Sequence, residues 1–549
     1  MGRLVLVHRD SYHDSVRLMR LSETLRALDS VADAAVVMGT PANRALLTEQ
    51  GYRGADLEGA GPNDLVVAVL GDVERTAVEA EVERLLRVVP SGDPDTGGTR
   101  PASLREALDG HPEAGLVLVS VPGEHAAREA RLALRRGRHV MLFSDNVSVA
   151  DEVALKREAL ARGLLLMGPD CGTAIIDGLP LGFANAVRRG PIGIVGAAGT
   201  GIQEVASCIH RLGGGISQAI GTGGRDLSDA VGGAMTLAGI AALAADPGTR
   251  VIVVVSKPPS AVVARRVVAA LAETGMPAVI QFVGDNGEHY GVGGGVAGRD
   301  TERLDRGRLG REGESGVLPG AGGSVPRGGV RFASSLAGAA EEACRLAGIA
   351  APPIAAPVDP ARAEALARHL PPDARLCGLF CGGTTGQEAL ALLGRIAPDV
   401  PVRSNLHHAG PLWIDGLGPV DGHLLLDLGD DVFTRGRPHP MIEPGLRNER
   451  LAAEVERGRV GLLLFDCVLG YGAHPDPAGV LAGGVREAAT TAAAAGRELV
   501  AIASVTGTPE DPQDSRRQVA ELEAAGMVVE ASNAAAAALA AEVLRRVAG

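Results

Sequence analysis

The sequence predicts an α/β protein built from doubly wound parallel sheets, with a small α+β layer at its N-terminus. Three observations carry this reading. From about residue 102 onward, short apolar runs of strand length alternate with stretches of helix length. Aromatic residues make up only 2% of the chain, so the cores are made of Ala, Val and Leu, which suits parallel strands covered by Ala-rich helices. Twice, an apolar strand runs into small residues that open a helix. These stretches are GPIGIVGAAGTGIQEVA from Gly190 to Ala206 and LCGLFCGGTTGQEALALL from Leu376 to Leu393.

The 549 residues are enough for about three or four domains. The net charge of −13 leaves no basic face to neutralise nucleic-acid phosphates. No apolar run reaches the roughly 18 residues of a membrane span, and the start MGRLVLVHRD has no leader pattern, so a cytoplasmic location is expected. Cysteines 171, 208, 344, 377, 381 and 467 lie mostly in apolar runs and read as buried thiols of a reducing compartment. Cys377 and Cys381 have no second pair nearby, so no metal site is expected from them.

In order, residues 1–90 form the α+β layer. Strands are expected at 4–9, 34–39 and 64–71, with helices at 15–28 and 74–88. Arg9, Tyr12 and His13 follow the first strand, either lining a site or capping a helix. Residues 91–101 read as a linker. Residues 102–172 give half of a doubly wound sheet, with strands at 115–121, 139–145 and 164–168. A second sheet follows over 173–350. Its first helix is expected from Ile202, a glycine-rich insertion at 285–330, and an Ala-rich helix at 331–348. The final sheet occupies 356–549.

The two Gly-Thr stretches align with one gap, so the chain holds two related sheets, each with a helix N-terminus at its ligand edge. Unpaired N–H groups and the helix dipole favour an anion there, and small residues let it approach the backbone. The candidate anion-binding residues are Gly196, Gly199, Thr200, Gly201, Gly221, Gly223, Gly224, Gly382, Gly383, Thr384, Thr385 and Gly386. A plain strand-to-helix turn is the competing reading. Lys257 is one of only two lysines, with Lys156, and follows a strand. It reads as a ligand cation or as a surface residue. His439, held between Pro438 and Pro440, reads as an acid, a base or a metal ligand, or as a loop residue with no chemical role. Asp430, Asp431, Gly470 and Gly472 are further candidates.

Several of these segments resemble the succinyl-CoA synthetase superfamily. GPDCGTAI (168–175) is similar to its GPNC-type turn, Gly190–Ala206 to its first phosphate helix, and GTGGRDLSD (221–229) to its glycine loop. LDLGDD (426–431) and FDCVLGYG (465–472) are similar to loops of its β-subunit. GPNDL (61–65), DSVRLMR (14–20) and PHPMIEP (438–444) resemble FdrA-type proteins, which fuse the α-like and β-like parts. The resemblance implies a partial Rossmann-type CoA-binding-like domain over 102–172 and two flavodoxin-like domains over 173–350 and 356–549.

The sequence also departs from the superfamily. After QFVG (281–284) it reads DNGEHYGVGGG, where His289 does not match the phosphorylated-histidine segment, and LHHAGP (406–411) matches it only locally. Lys257 stands where a glutamate is expected, and no ATP-grasp-like domain is found. The implied activity is a carbamoyltransferase subunit interconverting oxalurate plus phosphate with oxamate plus carbamoyl phosphate in anaerobic purine or allantoin catabolism. Inorganic phosphate is then a substrate and no cofactor is required. An acyl-CoA synthetase using CoA, ATP and Mg2+ is the alternative, and an anion-binding scaffold subunit is a third reading. Small anionic substrates, further subunits of a hetero-complex and a homo-oligomer are the partners implied.

Overall fold

Strands such as 251–256 and 460–468 are buried along their whole length, as parallel strands covered on both faces require. The computed structural model describes residues 2–548 apart from 10, 12–14, 27, 29, 62, 88–100, 286–328, 355–356 and 435–437. The expected linker and glycine-rich insertion fall almost wholly outside the described residues, as do Tyr12, His13 and His289. The chain divides into two compact units, 1–107 with 434–438, and 108–433 with 439–549.

The first unit contains β1 (Gly2–His8), α1 (Ser15–Arg26), β2 (Val31–Met38), α2 (Pro41–Glu49), α3 (Ala55–Glu58), β3 (Leu65–Gly71) and α4 (Arg75–Arg87). β3 pairs antiparallel with β1 on one side and β2 on the other. Leu6, Leu18, Leu25, Val36 and Val67 close one face of the sheet. Arg9 donates from Nη1 to Asp64 Oδ2 and to the Gly59 carbonyl, both at 2.6 Å, so its charge is already paired.

α5 (Leu104–Gly110) spans the boundary in the chain. In the second unit, β4 (Leu116–Val119), α6 (Gly123–Arg135), β5 (His139–Leu142), α7 (Val149–Ala161) and β6 (Leu166–Met167) make a three-stranded parallel sheet with its helices.

Next come β7 (Thr173–Ile176), β8 (Leu179–Gly182), β9 (Arg189–Gly196), α8 (Gly199–Arg211), β10 (Ile216–Gly221), α9 (Ala234–Ala245), β11 (Val251–Ser256), α10 (Ala261–Glu273), β12 (Ala278–Phe282), β13 (Val330–Phe332) and α11 (Leu336–Leu346). Their sheet has the order β13-β12-β11-β9-β10-β7-β8, parallel except for the β7–β8 hairpin at its edge.

The last sheet is parallel, in the order β15-β16-β14-β17-β18-β19. It is built from α12 (Pro360–Ala367), β14 (Arg375–Phe380), α13 (Gly383–Ile396), β15 (Val402–Ser404), β16 (His423–Asp427), α14 (Asp431–Thr434), α15 (Gly445–Glu456), β17 (Val460–Val468), α16 (Pro477–Ala494), β18 (Val500–Thr506), α17 (Ser515–Ala524), β19 (Val528–Glu530) and α18 (Asn533–Ala548).

The expected fold class is therefore observed, with three local corrections. α8 starts at Gly199, three residues before Ile202, so Gly199, Thr200 and Gly201 form its first turn. The stretch 331–348 opens with β13, which pairs with β12, before α11 begins. The β7–β8 hairpin adds two antiparallel strands to a sheet expected to be parallel.

The two large sheets repeat one another. β9 lies between β10 and β11, and β14 lies between β16 and β17. Thr222 N donates to Gly196 O at 2.8 Å, and Leu428 N donates to Phe380 O at the same distance. Gly199-Thr200 and Gln203-Glu204 of α8 align with Gly383-Thr384 and Gln387-Glu388 of α13 without the gap the sequence alignment used. One apolar core joins the sheets through α8, α11, α13 and α18, including Ile202, Val205, Ala340, Leu393 and Ala537.

Candidate functional site

The first turns of α8 and α13 meet. A Cβ on Gly382 would lie 2.7 Å from Thr200 Cγ2, and a Cβ on Gly201 would lie 2.9 Å from Thr384 Cγ2. Each threonine methyl therefore sits against a glycine of the other helix end, a closeness that a side chain would prevent. Ser148, Ser260, Ser335 and Asp359 cap the helices that follow them, but Ala198 and Gly382 give α8 and α13 no side-chain cap. The first-turn N–H groups of both helices are left to another acceptor. Each terminus favours an anion by about 0.3–2 kcal/mol.

Charged groups gather beside α13. Lys257 follows β11 directly and is exposed. A Cβ on Gly383 would lie 3.4 Å from Lys257 Nζ and 2.5 Å from Asp427 Oδ2. Asp427 ends β16, is buried, and accepts from Gly429 N at 2.9 Å through Oδ1. Burial pushes its pKa up to about 7, against the pull of Lys257 and the Gly429 N–H, while Asp430 and Asp466 push it further up. Asp170, in the turn after β6, is exposed to solvent but densely surrounded by protein. That enclosure, with Asp145 and Asp431 adding to it and Lys257 and Arg225 opposing it, raises its pKa to about 6.

Buried contacts hold this site in place. Asp466 accepts from Cys381 N at 2.7 Å, Gly382 N at 2.9 Å and Thr385 Oγ1 at 2.7 Å, fixing the loop before α13. Arg447, fully buried, donates to Asp466 O at 2.6 Å and lies 3.7 Å from Asp466 Oδ1. Glu204 of α8 accepts from Asn533 N, the first residue of α18, at 2.9 Å. Glu388 of α13 accepts from Leu336 N, the first residue of α11, at 2.6 Å. Each repeat thus caps a helix belonging to the other. Lys156 donates to Glu152 at 2.7 Å, Asp226 at 2.8 Å and Thr222 O at 3.0 Å, and so anchors the 221–226 loop. Of the two lysines, one is structural and one stands in the site.

Three family models match the chain: a CoA-ligase model over residues 379–543, a CoA-binding domain over 187–284, and "AllF, heavy metal-associated domain" over 1–100. The CoA-binding match falls on the first large sheet, downstream of the 102–172 segment. "Uncharacterized protein YahF" of Escherichia coli K12 is 40% identical over 539 residues, covering 97% of both chains. The chain belongs to the YahF family. It is a member of the succinyl-CoA synthetase-like, CoA-ligase superfamily. The α-2 subunit of an ADP-forming mitochondrial succinate–CoA ligase from Trichomonas vaginalis is 32% identical over 152 residues, covering 26% of this chain and 46% of that protein. A dinucleotide-forming acetyl-coenzyme A synthetase 1 from Ca. Korarchaeum cryptofilum, solved with phosphate and ADP, aligns over 79% of this chain and 83% of its own at 15% identity and a TM-score of 0.27.

The heavy-metal model raises a question of fit that this YahF-family chain answers from its residues. Residues 1–100 contain no cysteine, so no thiolate pair is available for a soft metal. Among the described residues no cluster of three His, Cys, Asp or Glu side chains is arranged to hold an ion. All six cysteines are buried and unbridged, as the sequence implied. Among the described residues no helix is long and apolar enough to cross a membrane.

The remaining sequence candidates separate into two groups. Thr200, Gly201, Gly382, Gly383, Thr384 and Lys257 are brought together at the joined helix ends. Gly199 begins α8 beside Thr173 Oγ1, and Gly224 faces Asp170, whose Oδ2 would lie 3.4 Å from a Cβ there. The others serve packing. A Cβ on Gly196 would press on Val255 O at 2.6 Å, and one on Gly221 on Thr173 O at 2.3 Å. Gly223 has φ +85° and lies against Pro169 O. Gly386 faces Phe380 and Leu406, and the Thr385 hydroxyl is engaged with Asp466 and Gly382 O. Gly470 (φ +118°) and Gly472 (φ +78°) pack on Ala184 O and Phe183. Asp430 accepts from Val432 N at 3.0 Å, and Asp431 is exposed.

His439 Nδ1 accepts from Met441 N at 3.2 Å, and the ring lies 6.0 Å from Phe183. Burial alone lowers its pKa to about 4. Asp427, Asp170 and Asp466 were not among the sequence candidates. The first two read as a strand end and a turn, and their partner Lys257 is remote in sequence. The acid at 427 directly before Leu428-Gly429 was the one available signal.

Proposed function

We propose that the site at the joined ends of α8 and α13 binds the phosphoryl group of an acyl phosphate, in an acid–thiol ligase reaction of the acyl-CoA synthetase type. The observation that carries this reading is the reciprocal threonine–glycine contact between two uncapped helix N-termini, with Lys257 Nζ beside Gly383. Two dipole ends and one ammonium meet the charge of a phosphoryl group, and they are fixed before the substrate arrives. Attack of a thiol on the acyl carbon breaks the C–O bond to phosphate and releases inorganic phosphate. Asp427, with a pKa near 7, is suited to take up the thiol proton. CoA is the thiol this reading names, supported by the CoA-binding and CoA-ligase matches. This reading assigns formation of the acyl phosphate from a nucleotide to a partner subunit.

The FdrA resemblance implies a narrower reading, carbamoyl transfer between carbamoyl phosphate and oxamate. The family matches favour the ligase reading over it. One experiment separates them. The chain, alone and with candidate partner subunits, is incubated with acetyl, succinyl or carbamoyl phosphate and either CoA or oxamate. Thioester formation with equimolar phosphate release, lost in Lys257→Gln, supports the ligase reading. Phosphate release from carbamoyl phosphate that requires oxamate and ignores CoA contradicts it and selects carbamoyl transfer. No turnover, together with no phosphate affinity, leaves the anion-binding assignment unsupported.

A further inference from the structure

The segment carrying His439 holds its ring in one chemical state. His439 O accepts from Ile442 N at 2.8 Å and Glu443 N at 3.0 Å, so the residue opens a tight turn flanked by two prolines. Within that turn Met441 N donates to Nδ1 at 3.2 Å. A nitrogen that accepts an N–H must offer its lone pair, so the proton of the neutral imidazole is assigned to Nε2. Among the described residues Nε2 has no hydrogen-bond partner.

Nε2 is turned toward the loop before α13. A Cβ on Gly429 would lie 2.6 Å from His439 Nε2, 2.8 Å from Cys381 O and 3.1 Å from Asp427 Oδ1. These three atoms surround one corner, which stays open because residue 429 has no side chain. The other oxygen of Asp427 faces Gly383 and Lys257. Phe183 faces the ring from the other large sheet.

Resting on the reading of the joined helix ends as an acyl-phosphate site, we propose that His439 is a neutral hydrogen-bond donor, giving its Nε2–H to an oxygen of the bound acyl phosphate, and is not a carrier of the phosphoryl group. Both carrier routes meet the same obstacle. Phosphorylation at Nε2 needs a lone pair there, which moves the ring proton to Nδ1 and sets it against the Met441 N–H. Phosphorylation at Nδ1 needs the position that Met441 N occupies. An imidazolium would also place two donors face to face at Nδ1. Asp427 is the titratable group at the same corner and works the other way, but its own raised pKa leaves it only partly ionised near neutrality. Burial of the ring favours the neutral form. A neutral donor of this kind meets negative charge as it develops without giving up a proton.

The test has a spectroscopic and a kinetic arm. In 15N-histidine-labelled protein, the His439 signals, assigned by their loss in His439→Gln, should report the Nε2–H tautomer and remain unchanged from pH 5.5 to 8.5. A ring that titrates near its ordinary value overturns the proposal, and this arm needs no turnover. Acid-labile phosphate on the wild type that disappears in His439→Gln overturns it as well. In the kinetic arm, His439→Ala should lower kcat by about 10²–10³-fold, the usual loss for one such donor. His439→Gln, whose Nε2 can donate from the same place, should recover most of that loss. Gly429→Ala, whose methyl crowds Nε2 and the Cys381 carbonyl, should be at least as defective as His439→Ala. Equal loss in the Ala and Gln variants with native circular dichroism overturns the donor role. Absence of acyl-phosphate turnover in the wild type, with the tautomer as expected, counts against the acyl-phosphate reading alone.

Discussion

Gly382→Ala tests the junction of the two helix ends. The new methyl would lie 2.6 Å from Thr385 Oγ1, 2.7 Å from Thr200 Cγ2 and 2.9 Å from Thr200 Cβ. None of these distances is tolerable between real atoms, so the ends of α8 and α13 must separate. Overpacking of this kind costs about 1–3 kcal/mol. The displacement moves the α13 terminus away from a shared anion, and a loss of about 1.4 kcal/mol there is a tenfold loss of phosphate affinity. Thr200→Ser removes the Cγ2 methyl but keeps the contacts with Thr385 Oγ1 and with the Cβ of residue 200, so it should return part of the lost stability, a coupling of roughly 0.5–1.5 kcal/mol. Trp413, the chain's single tryptophan, lies in the last domain and reports its unfolding in guanidinium by fluorescence. Calorimetric titration with phosphate supplies the affinity. If Gly382→Ala costs the same in the wild-type background as in the Thr200→Ser background, the helix ends do not meet there and the reasoning fails.

Three further outcomes follow from the buried charges. Asp427→Asn should stabilise the protein at pH 8 while lowering turnover. A carboxyl raised from 3.8 to about 7 opposes folding by up to about 4 kcal/mol once ionised. Glu388 is likewise raised to about 7, chiefly by burial. Since both folded-state values exceed the unfolded ones, their contribution to stability is intact below about pH 4 and is lost as pH rises through about 7. Asp427→Asn should flatten part of that decline in denaturation midpoints measured from pH 5 to 8. Asp466→Ala strips the acceptor from Cys381 N, Gly382 N and Thr385 Oγ1 and strands Arg447, so a loss of about 3–5 kcal/mol is expected in the same unfolding assay.

Much of this architecture was written in local pattern. The Val- and Leu-rich runs at 251–256 and 460–468 and the Gly-Thr helix starts needed no partner to be read. What escaped had a physical cause in each case. α8 begins at Gly199 because tertiary contact with Thr384 and Val255 stabilises a first turn whose glycines have poor helix propensity. β13 is three residues long, too short to show a period, and is specified by pairing with β12. Of the site residues, the helix-end glycines and threonines and Lys257 were visible as types in a motif. Asp427 was not, because its role depends on Lys257, which the fold brings to it from another sheet. The exchange of caps by Glu204 and Glu388 spans 329 and 52 residues, beyond any local signal. The repeat of Gln-Glu at matching positions was its only trace.

The central claim, that a phosphoryl group binds at the joined helix ends against Lys257, is open to one direct measurement. The chain has two lysines, and Lys156 is buried and bonded to Glu152 and Asp226. Brief acetylation followed by mass spectrometry should therefore modify Lys257 and spare Lys156. Inorganic phosphate or an acyl phosphate should slow the modification of Lys257 at least severalfold, in a saturable manner. A rate at Lys257 that stays the same at every concentration of either ligand contradicts the account.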